Sequence, residues 1–114
     1  MIKNISNLGD AAVYCDFGPE VNKEINLKVI SYFNHLNKLI KDNKVQGIIN
    51  LTPSYNKLII NFDLAETNFN KIKTILENIN IVESKNKISK KVRIPVCCDN
   101  EFALDLEELS KRLK

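Results

Sequence analysis

GIINLTPSYNKLIINFD, residues 47–63, holds two β-rich runs around a turn. Ile49 and Leu51 share one face of the first run, and Leu58, Ile60 and Phe62 share one face of the second. Side chains alternate across a strand, so each run is built to bury one side only. Between them TPSYN supplies turn chemistry, with Pro53 fixing φ and Asn56 tolerating a left-handed backbone. The reading is a hairpin whose other face, with Asn50, Thr52, Lys57 and Asn61, meets solvent.

Upstream, Gly47 is expected to stop a long helix that runs on a stripe of Val21, Ile25, Val29, Tyr32, Leu36 and Ile40. Ile30, Phe33 and Leu39 widen the stripe, while Lys23, Lys28, Lys38 and Lys41 face away. Pro19 suits the helix's first turn and Glu20 its positive end. Before that, AAVYCDF (residues 11–17) alternates, with Val13, Cys15 and Phe17 on one face. A partner strand is expected in IKNISNL, turned at Gly9 and Asp10.

Downstream, Thr67 is the expected N-cap of a second helix with the stripe Phe69, Ile72, Ile75, Leu76 and Ile79. A basic, Ser/Asn-bearing linker follows, and then KVRIPVCC, a β-rich run. Its Pro95 cannot donate to a ladder, so the run belongs at a sheet edge or a boundary. Last, Asp99 or Asn100 can cap a short helix on which Phe102, Leu106, Leu109 and Leu113 form one apolar stripe.

Strand, helix, strand, strand, helix, strand is the split βαβ order of ferredoxin-like domains. The expected class is therefore α+β, an antiparallel sheet with two helices on one face. That fold hosts many activities and names none.

Composition excludes more than it assigns. At 114 residues, 44% of them hydrophobic, the chain can bury one modest core. A net charge of +3, no Trp, and only 3 Tyr and 5 Phe do not make a nucleic-acid surface. The basic cluster Lys85, Lys87, Lys90, Lys91 and Arg93 reads as a solvated linker rather than a phosphate site. The opening MIKNISNLGD lacks an apolar leader core, and no apolar run is long enough to cross a bilayer. A cytoplasmic protein with neither nucleic-acid nor membrane partners is expected. Three unevenly spaced cysteines fit that address, because they do not form a disulfide framework.

No catalytic constellation emerges. His35, the single histidine, lies beside Lys28, Ser31 and Lys38 on the polar side of the first helix and reads as a surface residue. Asp10, Asp16 and Asp63 fall at turns, where Asp is a turn-former. Asp99, Glu101, Asp105, Glu107 and Glu108 read as an acidic helix start and not as metal ligands. Cys97 and Cys98 are adjacent, which rules out a CxxC pair. No catalytic and no metal-ligating residue is expected, and no cofactor bound by this chain alone.

NLGDAAVYCDFG, GIINLTPSYNKLIINFD and above all VRIPVCCDNEFALDLEELS resemble the N-terminal half of the family of the B-type 5-oxoprolinase subunit. That family is also known as allophanate hydrolase subunit 1 and includes a sporulation-kinase inhibitor, KipI. Its Gly-Asp before the strand, its Pro-Ser-Tyr turn and its Ile-Pro-Val-Cys run match Gly9-Asp10, Pro53-Ser54-Tyr55 and Ile94-Pro95-Val96-Cys97. Glu101-Phe102 and Asp105-Leu106 continue the match. Cys98, Asp99-Asn100 and Ala103-Leu104 depart from Tyr, Gly-Gly and Gly-Pro.

The resemblance implies an N-terminal α+β domain over residues 1–84, a linker over 85–91, and in 92–114 the first strand and helix of a missing cyclophilin-like domain. It also implies a subunit of an ATP-dependent assembly opening 5-oxoproline to glutamate, with ATP bound in the assembled complex. Two further subunits are the implied partners: a carboxyltransferase-like one (the C-type of 5-oxoprolinase) and a third (the A-type). The alternative it implies is a regulator that inhibits a sensor histidine kinase. Pro53, Ser54, Tyr55, Glu101 and Phe102 are the residues expected to contact a partner.

Overall fold

The computed structural model describes residues 1–81 and 90–114. Lys85, Lys87 and the expected boundary at residues 84–85 lie outside the described residues. Four strands form one sheet: β1 (Asn4–Asn7), β2 (Ala12–Asp16), β3 (Ile48–Pro53) and β4 (Lys57–Phe62). Helix α1 (Lys23–Lys41) joins β2 to β3, α2 (Phe69–Asn78) follows β4, and α3 (Leu106–Arg112) comes last. The sheet order is β1-β2-β4-β3, with every neighbouring pair antiparallel. Since β4 runs against both its neighbours, β2 and β3 are parallel with β4 between them. That is a split βαβ unit, so the expected α+β class is the observed one.

The fourth position of the sheet is filled by the hairpin strand expected in IKNISNL and not by the run at residues 92–97. The edge beside β2 is taken by β1, folded back through a hairpin in which Gly9 holds φ +64 and Leu8 donates to the Ala12 carbonyl at 2.9 Å. Residues 91–98, expected to form the last strand, form none and are exposed. A local hairpin closes cheaply, whereas residues 92–97 would have to return across a long connection to an edge already occupied. Pro95 removes one of the donors that such pairing needs.

One face of the sheet carries the core. Val13, Cys15, Phe17, Leu58, Ile60 and Phe62 meet Val29, Tyr32 and Leu36 of α1 and Ile72 and Leu76 of α2, all buried. Burying side chains of this size contributes roughly 1.5–3 kcal/mol each. Phe17 and Tyr32 meet edge to face, ring centroids 5.4 Å apart. On the opposite face the register aligns Tyr14 with Ile59 and Ile59 with Thr52, a half-buried pair beside an exposed polar edge.

Several boundaries differ from the sequence reading, each for a local reason. Helix α1 starts at Lys23, because the Asn22 side chain accepts from the Ile25 N–H at 2.9 Å. Pro19 therefore precedes the helix, and Val21 is exposed. The helix ends well before Gly47. Asn43, at φ 54, lets Lys44 donate to Leu39 and Asn43 itself to Ile40, the paired bonds of a Schellman closure. The cap of α2 is Asn68, which accepts from the Lys71 N–H, and Thr67 is buried instead. A register shift between Ile48 and Asn50 pushes Ile49 out to solvent, so Ile48 rather than Ile49 shares the core side with Leu51. Finally, α3 begins at Leu106 and has no side-chain cap; Asp99 closes only a preceding turn, its carbonyl accepting from Phe102 and Ala103.

Candidate interaction site

The chemistry-bearing side chains gather where β2 and β4 end together. Asp16 and Lys57 are cross-strand partners in the register, and their side chains form an ion pair. Lys57 Nζ also donates to the Gly18 carbonyl at 2.8 Å. Gly18 N–H in turn donates to Asp16 Oδ1 at 2.7 Å, the turn-forming role expected of Asp16. The Asp16 carboxyl is held below its ordinary range, first by the Lys57 hydrogen bond, then by the Gly18 N–H.

The turn between β3 and β4 is locked onto this cluster. Ser54 N–H donates to the Lys57 carbonyl at 2.9 Å, which leaves Tyr55 and Asn56 as a two-residue connection. Asn56 does not take the expected left-handed backbone, because Asn43 is the one non-glycine residue with positive φ among those described. Its side chain works instead, donating to the Gly18 and Glu20 carbonyls at 3.0 and 3.1 Å. Its own carbonyl accepts from Phe17 at 3.0 Å. From the first turn of α1, Asn26 donates to the Ser54 and Tyr55 carbonyls, both at 3.3 Å.

A backbone pinned from three sides thus presents a side chain that no described residue covers, for Tyr55 is 70% exposed. Pro53, last in β3, is half-buried, and Ser54 is exposed. An aromatic on a rigid support is well suited to anchor a partner, since little motion is lost on binding. The roles of Asn26 and Asn56 escaped the sequence reading, as neither follows from local spacing. The Asp16–Lys57 pair had a faint signal, opposite charges at the ends of two strands that turn out to be neighbours.

Glu101 and Phe102 lie elsewhere. Both are exposed, and among the described residues no hydrogen bond joins them to the turn. No residue of 90–114 belongs to the core, and α3 has no buried residue. Its Glu107 and Glu108 pair with Lys111 and Arg112 one turn on. Cys97 and Cys98 are exposed free thiols, while the Cys15 thiol is pushed up to about 12 by burial. His35 is half-buried in a surface groove with Leu39 and Ile75. Among the described residues, no cluster of His, Cys, Asp and Glu is arranged to hold a metal. Among them, too, no helix is long and apolar enough to cross a membrane.

The chain is similar to the B-type 5-oxoprolinase subunit of Bacillus subtilis (strain 168), 29% identical over 119 residues. That alignment covers 94% of the chain but 48% of the relative, so the chain spans about half the relative's length. A crystal structure of a conserved uncharacterized protein from Pyrococcus horikoshii superimposes with a TM-score of 0.52 at 27% identity. It covers 65% of the chain and 32% of that protein. Residues 3–114 match the carboxyltransferase domain, subdomain C and D, and the chain therefore belongs to that family.

Proposed function

We propose that this chain is a structural and subunit-contact domain of an ATP-dependent 5-oxoprolinase, a hydrolase complex that opens 5-oxoproline to glutamate. The observation that carries the reading is the locked turn, which holds Tyr55 outward without a cover of its own. Similarity to the B-type 5-oxoprolinase subunit over 94% of the chain supports the choice of complex. The partners are two further subunits, one of them carboxyltransferase-like. Residues 53–55 meet the carboxyltransferase-like one, and Glu101 and Phe102, on a segment outside the core, provide a second contact.

The described residues do not fit a triphosphate. Gly9, Gly18 and Gly47 sit in three separate turns, so no run of glycine N–H groups forms a phosphate cradle. In this proposal ATP is held in the assembled complex by other subunits, and this chain's own residues position a surface.

Reconstitution tests the reading. With all subunits present, 5-oxoproline-dependent ATP hydrolysis should be restored by adding this chain and should be absent without it. Equal turnover in its absence would overturn the proposal.

A further inference from the structure

The chain enters α1 at Val21 without a support that helix starts commonly have. An apolar residue just before a helix cap often packs on an apolar residue four places after the cap, which fixes the entry angle. Here the cap is Asn22, so Val21 holds the first of those positions and Asn26 the second. Asn26 is polar, and its amide is committed to the Ser54 and Tyr55 carbonyls. Val21 is left without that cover and is 66% exposed.

The backbone on both sides of Val21 is nevertheless fixed. Before it, the Glu20 carbonyl accepts from the Asn56 amide at 3.1 Å. After it, Asn22 accepts from the Ile25 N–H at 2.9 Å and donates to the Glu20 carboxylate at 3.2 Å. The two amides that pin the Tyr55 turn thus also decide the setting of Val21. Asn56 holds its backbone, and Asn26 leaves its side chain uncovered. A local packing rule is broken at this one place, next to the locked turn, and such breaks concentrate where a surface is used.

We infer that Val21 is a second anchor of the contact made by Tyr55, and that the partner presents two neighbouring apolar recesses, one for an aromatic ring and one for a branched aliphatic group. The inference rests on the proposed function, since it takes the carboxyltransferase-like subunit as the occupant of a surface continuous with Tyr55. Both side chains stand on backbone that is already ordered, so little freedom is lost when they are buried.

Calorimetric titration of the chain into the carboxyltransferase-like subunit tests it, with Val21→Ser run beside Tyr55→Ala. Val21→Ser should bind at least about fivefold more weakly, as loss of a buried aliphatic contact does. Its melting temperature should stay within a degree or so of the unaltered chain, because the site is exposed. The inference requires both variants to lose affinity. If Tyr55→Ala binds more weakly and Val21→Ser does not, the inference falls and the proposed function stands. If neither loses affinity, both fall. A melting temperature lowered by several degrees in Val21→Ser would place that side chain in the chain's own packing and overturn the inference as well.

Discussion

Lys57 shows how one side chain fixes the geometry of a turn. Its ammonium ties the Asp16 carboxylate to the Gly18 carbonyl, and those atoms set where Asn56 can reach. Changing Lys57→Met should cost about 1 kcal/mol in urea unfolding, modest because the pair is partly solvated. The depressed Asp16 carboxyl sets the sign of a pH effect. Its stabilisation is fully present above the unfolded value near 3.9 and is lost as pH falls through the lower folded value. Asp16→Asn should therefore be less stable than the wild type at neutral pH, with the two converging in acid. Thiol titration makes a separate check at this scale. Cys97 and Cys98 should react at once with a disulfide reagent, whereas buried Cys15 should react only when the chain unfolds. Rapid labelling of all three would contradict the core assignment.

Among the elements, those with regular apolar spacing were legible and their ends were not. The stripe Ile25, Val29, Tyr32 and Leu36 marks α1 correctly, since periodicity follows from the core face it must cover. The competition between Thr67 and Asn68 for a cap is settled by Gly47, which spacing does not reveal. Gly47 has φ +81 and packs so closely that an added Cβ would lie 2.8 Å from Thr67 Cγ2. Thr67 is buried there, and the cap passes to the next residue. Gly47→Ala should cost roughly 2–4 kcal/mol, from the left-handed backbone and the overlap together. A melting curve unchanged by that substitution would refute this packing. The β-rich run at residues 92–97 forms no strand here, since composition does not say whether an edge remains for it. The hairpin to β1 had already taken the edge. Of the site, the turn that carries Ser54 and Tyr55 was legible from its proline and polar residues, but its anchors came from residues 28 to 38 positions away.

At the scale of the whole molecule, a two-layer α+β unit carries the locked turn, the proposed contact surface, at one end of the sheet. Among the described residues nothing joins a nucleophile, a base and an oxyanion donor, and the purified chain alone should hydrolyse neither ATP nor 5-oxoproline. Turnover lost on changing one of its own residues would contradict this. Amides of α3 should exchange rapidly while those of β2 and β4 are protected. Strong protection of α3 in the monomer would mean that it packs within its own chain. The central claim is that the locked turn presents Tyr55 to a partner, and calorimetric titration of the chain into a carboxyltransferase-like subunit tests it most directly. Tyr55→Ala should weaken binding at least about tenfold, as loss of an aromatic anchor does, while the melting temperature stays within a degree or so of wild type. Unchanged affinity, or a melting temperature lowered by several degrees, would contradict the account.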